Sequence, residues 1–421
     1  MKIGLQTWGT EGDVRPFVGL ASGLSAGGHD VTLAVTSLDL KDYSSDGRAG
    51  GFRVIDAHGT YRQWGRDRLL SIKERLMALP PLEQLTRMFE EVFEPAVEEM
   101  YETARQLCRD NDVVVGHYFT YPVQLAARKQ GRPYGCLAFN PDLYASRYWP
   151  PSQLPDLGVW INPWLWKLSS RIANRLLLKP VNRLCSREGH PVHDLFSEVW
   201  QSKPLTLIAS SPMLFPRPPD WGAHLQICGF FGPPGNPDGW TMPEDLRSFL
   251  AGSDPPVFMS FGSATPPGRR ETDVLFVEAA KTAGCRAIVQ LPGNGTPGTA
   301  DDPEIYRIGY VPYQELLPHC ALVVHHGGAG TTHCAALAGR PSVVVEHFGD
   351  QSFWGARLRR AGLANRVLHR KSVTAKSLAA EIRKGLSSPA MKRRAEAFGE
   401  SMRKENGVRR AVELIEERLA H

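Results

Sequence analysis

An apolar run, Ala321-Leu322-Val323-Val324, passes through His325-His326-Gly327-Gly328-Ala329-Gly330-Thr331-Thr332 into a small-residue stretch, Ala335-Ala336-Leu337-Ala338. An apolar run closed by glycines and continued by small residues predicts a strand, a tight turn and the start of a helix. Gly339-Arg340-Pro341 then stops the helix, and Ser342-Val343-Val344-Val345 resumes a buried strand. The β-α-β unit so formed commits this part of the chain to a parallel sheet covered by helices. Its turn also suits an anion, because glycines let the backbone approach closely and the first N–H groups of the helix point outward at its positive dipole end. His326, Thr331 and Thr332 add donors to that spot. Glycines alone would equally make an ordinary βα turn; the histidines and threonines favour a phosphate site.

The next loop, Glu346-His347-Phe348-Gly349-Asp350-Gln351, leaves the carboxyl end of the resumed strand and lies on the same rim, where open parallel sheets bind ligands. Asp350 and Gln351 offer acceptors and donors suited to the vicinal hydroxyls of a sugar, or else an N-cap for the helix from Ser352 to Ala361. A phosphate turn beside a hydroxyl-binding loop suggests a nucleotide sugar.

At 421 residues the chain is too long for one ordinary core, so two domains of about 200 residues are expected. The first half opens with a strand Ile3 to Thr7, a helix Val14 to Ala26 and a strand Val31 to Val35; alternation returns at Val113-Val114-Val115, near Val123 to Arg128, and at Tyr134 to Ala138. Leu69 to Arg109 reads as helical and exposed on one face. Between Tyr144 and Trp200 regularity is lost and aromatic residues accumulate among prolines, which suits a wall for an apolar pocket, contact with a bilayer interface, or packing of irregular segments. Proline and glycine breaks put a linker at 231–240. A second start follows at Pro256 to Phe261, with further strands at Ala287 to Gln290 and Ile305 to Ile308, and Leu386 to Leu419 reads as helical.

The formal net charge is only +5 and the basic residues are scattered, with one cluster at Lys392-Arg393-Arg394, so nucleic-acid binding is not indicated. Seven cysteines, odd in number and without a C-x-x-C pair, read as reduced thiols in a cytoplasmic protein. Met1 to Gln6 runs into a strand without a signal-peptide pattern. No apolar stretch reaches about 18 residues, which excludes a membrane span and leaves peripheral association open.

The run HHGGAGTT followed by GDQSFWGARL, and Gly9-Thr10-Glu11-Gly12-Asp13-Val14-Arg15-Pro16 near the start, resemble the donor and acceptor motifs of the nucleotide-sugar-dependent glycosyltransferases of the GT-B fold. The likeness is to the sterol glucosyltransferases and the bacterial transferases that glycosylate antibiotic aglycones. It implies an α/β fold of two Rossmann-like domains facing each other across a cleft. The acceptor-binding domain would span 1–230 and the nucleotide-sugar domain 241–402, with a helix over 403–421 crossing back to the first. It assigns donor binding to Gly262, Ser263, Tyr310, Val311, His326, Gly328, Gly330, Thr331, Thr332, Asp350 and Gln351, with the Val311 backbone against the base edge and an aromatic ring stacked on it. Ser263 is otherwise a plain strand-end turn. Trp8, Tyr148, Trp149 and Trp160 are the acceptor-pocket residues it suggests. The chain departs from plant members in having Tyr310-Val311-Pro312-Tyr313 for their Trp-x-Pro-Gln and Cys334 for their ribose-binding Glu; the sterol-type relatives also lack that Glu and resemble UDP-dependent enzymes.

Sugar transfer to a hydroxyl needs a base for the acceptor and stabilisation of the leaving diphosphate. Asp13 is placed as the base, at the carboxyl end of the first strand, where it could equally serve as an N-cap. Displacement from an α-linked donor, UDP-glucose by resemblance, would invert the anomeric centre on transfer to a hydrophobic acceptor such as a sterol, triterpenoid or polyketide. The scheme requires no metal and no cofactor beyond the nucleotide sugar. Asp110-Asn111-Asp112 precedes a strand rather than following one and reads as a solvated turn; His190-Pro191-Val192-His193 has no further ligands to join it. A nucleotide-sugar epimerase of the same architecture, a dTDP-sugar-dependent antibiotic glycosyltransferase and a two-lobed binding protein stay open as alternatives. A nicotinamide oxidoreductase lacks its G-x-G-x-x-G.

Overall fold

Valine-rich runs buried on both faces are what a parallel sheet with helices on each side requires, and the strands paired among the described residues run parallel. The computed structural model describes residues 1–420 except Gln153, 233–239, Ser253, 263–268, 292–301 and Phe348. The chain forms two units, Met1–Asp238 with Asn406–His421, and Gly239–Glu405.

In the first unit, β1 (Lys2–Gly9), β2 (Asp30–Ser37), β3 (Arg53–Asp56), β4 (Val113–His117), β5 (Tyr134–Ala138), β6 (Leu205–Ile208) and β7 (Leu225–Ile227) make one sheet in the order β3-β2-β1-β4-β5-β6-β7. In the second, β8 (Val257–Ser260), β9 (Ala287–Gln290), β10 (Ile305–Ile308), β11 (Leu322–His325), β12 (Ser342–Glu346) and β13 (Leu368–His369) are ordered β10-β9-β8-β11-β12-β13. Each order reverses direction once, between β1 and β4 and between β8 and β11. At such a point the loops after neighbouring strands diverge and leave a crevice at the carboxyl ends.

The last helix, Gly407–Leu419, belongs to the first unit: Ala411, Leu414, Ile415 and Leu419 join Ile3, Leu5 and Phe17 in one core. The helical stretch expected from Leu386 to Leu419 forms two helices, Pro389–Met402 and Gly407–Leu419, after an earlier helix Ala375–Leu386 that ends at its first residue. Ser388 and Asn406 begin new helices by accepting the N–H of Met391 and Arg409.

One further expectation is refined and one is corrected. Leu69 to Arg109 is a series, Gly59–Met77, Pro81–Met88, a π turn Phe89–Phe93, a 3₁₀ turn Glu94–Ala96 and Val97–Asp110, because Pro80, Pro81 and Pro95 each lack the N–H that a continuous ladder needs. The segment from Tyr144 to Trp200 does not lose regularity throughout, since Asn162–Arg187 is a 26-residue helix. Pro163 sits in its first turn, where no N–H is required, and Trp166, Ala173, Leu177, Val181 and Leu184 recur at helical spacing on its buried side.

Candidate active site

The β1–β4 switch point carries a carboxylate. β1 ends at Gly9, Thr10 is the N-cap of the helix Glu11–Ala26, and Asp13 is its third residue. Thr10 and Asp13 form a capping box, with the Thr10 N–H donating to Asp13 Oδ2 at 2.9 Å and the Thr10 hydroxyl reaching the same oxygen at 3.2 Å. Gly9 makes this possible: its φ is +136°, and a side chain there would meet Asp13 Oδ2 at 2.3 Å. Cap and an oxygen left for chemistry therefore coexist, since only Oδ2 is engaged by Thr10.

The other oxygen, Oδ1, faces Nε2 of His117 at 3.9 Å. His117 ends β4 and is almost wholly buried, and burial pushes its pKa down to about 3, so the ring is neutral. Its Nδ1 accepts the Phe119 N–H at 3.4 Å, which puts the ring proton on Nε2, toward Asp13. At 3.9 Å this is no hydrogen bond but an N–H dipole aimed at a carboxylate. Although 35% of the Asp13 side chain meets solvent, burial of the carboxyl raises its pKa to about 6 against the opposing Thr10 bonds, and the nearby Asp39 charge adds to the rise. Asp39 is held there by the Glu11 N–H at 2.7 Å.

The β8–β11 switch point carries the glycine turn. His325, at the end of β11, is fully buried and its Nδ1 accepts the Gly327 N–H at 3.1 Å, so this histidine braces the turn. His326 lies across Gly328, where a side chain would stand 2.4 Å from Nε2; one at Gly262, after β8, would stand 3.3 Å from Cε1. Burial takes His326 down to about 4, and Nδ1 is enclosed with no hydrogen-bond partner among the described residues. The helix Ala329–Leu337 has Gly328 as N-cap and no side-chain cap, which leaves its first turn available to an anion. Gly330 is exposed and Thr331 half-buried. Thr332 is fully enclosed, which corrects the expectation that both hydroxyls open on one spot.

Around this turn the side chains are braced by one another. Asp350 stands at the N-cap position of the helix Gln351–Arg360 without capping it; Oδ2 accepts the indole N–H of Trp354 at 2.9 Å. Gln351 is 3% exposed and its Oε1 accepts the His347 N–H at 2.7 Å, which holds the loop. After β10, Tyr310 is 52% exposed while Val311 is buried. The strand ends beneath them are tied together: Gln290 Oε1 accepts from Ser260 Oγ at 2.7 Å and from the Tyr313 hydroxyl at 2.9 Å, and Gln290 Nε2 donates to Gly309 O at 2.9 Å.

The four aromatic residues expected to wall one pocket are not alike in this structure. Trp8 is 5% exposed and packs in the core, edge-on to Phe93 at 5.0 Å, with its indole N–H on the Tyr61 hydroxyl at 2.7 Å. Trp149 packs on Phe215 at 5.4 Å, and Tyr148 is part-exposed. Trp160 is 82% exposed just before the helix Asn162–Arg187, whereas Trp166 of that helix is turned inward. Ser263 lies outside the described residues.

His117, Ser260, Gln290 and Tyr313 were not singled out from sequence. A histidine closing the Val113 to Gly116 run was the available signal for the first. Asp112 accepts the Lys2 N–H at 2.8 Å and Asp110 the Gln106 amide at 2.6 Å, both beside the amino end of β4. Among the described residues no group of three or more His, Cys, Asp or Glu side chains is placed to hold a metal ion. None of the helices among those residues is long and apolar enough to cross a membrane.

Residues 276–416 match the family described as Erythromycin biosynthesis protein CIII-like, C-terminal domain. The chain is 30% identical to the O-mycaminosyltylonolide 6-deoxyallosyltransferase of Streptomyces fradiae over 99% of its own length and 97% of that protein's. It is 27% identical to a sterol 3-beta-glucosyltransferase of Arabidopsis thaliana over 100% of this chain and 68% of the other. The structure of the glycosyltransferase of kitacinnamycin matches with a TM-score of 0.71 at 20% identity, covering 99% of each chain. Glycosyltransferase VinC, solved in complex with dTDP, matches with a TM-score of 0.65 at 20% identity, covering 99% of this chain and 98% of that one.

Proposed function

The chain belongs to the glycosyltransferase family that includes the antibiotic-modifying transferases and the sterol glucosyltransferases, and we propose that it moves a hexose, glucose from UDP-glucose, to a hydroxyl of a hydrophobic small molecule with inversion. The observation that carries this reading is Asp13: a reachable carboxylate whose pKa is raised to about 6 is tuned to take a proton near neutrality.

In the proposed reaction the acceptor oxygen attacks the anomeric carbon, its proton passes to Asp13 Oδ1, and the bond from that carbon to the β-phosphate oxygen breaks. Charge growing on the diphosphate is met by His326, the Thr331 hydroxyl and the uncapped first turn of Ala329–Leu337. His326 enters as a neutral N–H donor to a charged oxygen. Asp350 takes hydroxyls of the sugar, and the enclosed Gln351 holds the loop beside it through His347. The exposed Tyr310 ring stacks on the base and the Val311 backbone pairs with its edge. His117 does not touch substrate in this scheme; its N–H dipole favours the ionised form of Asp13.

A second reading, thymidine diphosphate in place of uridine diphosphate, is supported by the dTDP bound in the glycosyltransferase VinC; Cys334 does not decide between them, since the sterol-type relatives also lack the glutamate. The purified chain, given UDP-glucose or dTDP-glucose with a panel of sterols, triterpenoids, macrolides and phenols, should add one hexose unit to an aglycone, read by mass spectrometry. Turnover of the nucleotide sugar to its epimer, with no aglycone consumed, would replace transfer by epimerisation.

A further inference from the structure

The helix Asn162–Arg187 buries one side in the first unit's core through Ala173, Leu177, Val181 and Leu184, and the Trp166 indole N–H fastens it to Trp149 O at 2.7 Å. Its other side leaves Trp160, Trp164, Leu168 and Ile172 exposed by 82, 67, 50 and 38%. Trp164, Leu168 and Ile172 stand at a spacing of four residues and so form one row along the helix, with Trp160 just ahead of its first turn. A second row at the same spacing, Lys167, Arg171, Arg175 and Lys179, runs within the same arc and is also exposed. From Asp156 to Glu188 the sequence has no acidic residue between them. Arg183 and Arg187, further along, are taken by Glu94 and Glu98. The four bases of the row make no ion pair among the described residues; Lys167 rests only on the Trp164 ring, 4.7 Å from its centroid.

Large apolar groups and unpaired bases mixed along one exposed helix face are not arranged for a small molecule, which needs a concavity. Nor do they suit a second copy across a two-fold axis, which would set four bases against the same four. Tryptophan belongs at the boundary between headgroup and acyl chain, aliphatic side chains enter it, and lysine and arginine meet anionic headgroups. Leu157 and Val159, exposed just ahead of the helix, extend the apolar end.

We propose that this face docks the protein on an anionic phospholipid bilayer, the helix lying in the plane of the interface. The proposal rests on the helix alone and stands or falls independently of the sugar-transfer reading. Flotation of the full chain with vesicles of phosphatidylcholine, alone or mixed with phosphatidylglycerol, tests it. The chain should float with the mixed vesicles only, and less so as salt rises. Arg171→Gln and Arg175→Gln should each lower the partition coefficient about fivefold. Trp164→Ser should also release the protein, and since all three positions are exposed their melting temperatures should match the wild type. A wild-type chain that stays with neither vesicle, or charge variants that float like it, overturns the proposal. So does a wild-type dimer that Trp164→Ser converts to monomer, which would give the face to a second copy.

Discussion

His117 Nε2 lies 3.9 Å from Asp13 Oδ1, across the one point of the first sheet where strand order reverses. The two residues are separated by most of the strands and helices of a Rossmann half, yet β1 and β4 are neighbours, in register with Gln6 opposite Gly116. A neutral histidine donor and a half-exposed acid are thereby set against each other, and the acid's charge state becomes the quantity that experiment can read.

Asp13→Asn preserves the capping box, because an amide oxygen can take the Thr10 N–H, but cannot accept the acceptor's proton. Transfer should fall by about 10²–10⁴ with donor affinity within a few-fold of wild type. In the wild type the base is lost as Asp13 protonates, so kcat/KM should decline below about pH 6. An acid with its folded pKa raised opposes folding as pH rises through that range, so the melting temperature of Asp13→Asn near pH 7 should equal or exceed the wild type's. Undiminished transfer by the variant would leave Asp13 as a cap only.

His117→Phe keeps a buried ring and removes the dipole. With the ionised carboxylate no longer favoured, the acid limb of kcat/KM should move to higher pH, which packing alone would not do. A pH profile superimposable on the wild type would reduce His117 to a core residue.

His326→Ala removes a donor to a charged oxygen, worth about 1.5–3 kcal/mol, so Kd for the nucleoside diphosphate should rise roughly ten- to a hundred-fold by calorimetry. Asp350→Ala should weaken the intact nucleotide sugar much more than the diphosphate. Equal losses for the two ligands would remove Asp350 from the sugar's hydroxyls.

His117, His325 and His333 are buried and His326 partly so, and desolvation pushes their pKa values down to about 3 for His117 and His325 and to about 4 for His326 and His333. An unfolded chain protonates each near pH 6.5, as the folded one does not, so stability is present above that pH and is lost as pH falls toward about 4. Asp13 and Asp39, both raised, act in the opposite sense over the lower part of the window. The melting temperature should drop steadily below about pH 6.5; a flat profile to about pH 4.5 would show that these imidazoles find protons in the folded state.

The strands were legible because both-face burial is written locally: Tyr134–Ala138, Ala287–Gln290 and Ile305–Ile308 coincide with their apolar runs. So were the glycine turn at His326 to Gly328 and the acid at Asp13, since a backbone that must turn sharply or begin a helix selects its residues within a few positions. The long helix Asn162–Arg187 was hidden because its buried period is carried by a few residues among prolines and tryptophans that also suit a loop.

What only the tertiary structure decided is which distant residues meet. No local period says that β4 lies beside β1, so His117 carried no mark of its carboxylate partner, and Gln290 none of its bonds to Ser260 and Tyr313. Nor does a tryptophan announce its surroundings: Trp8, Trp164 and Trp166 are one residue type, yet core packing encloses the first and third and leaves the second in solvent. Short-range sterics and periodicity are properties of the chain itself, whereas strand order and the choice of buried face follow from how whole elements cover one another's apolar surfaces.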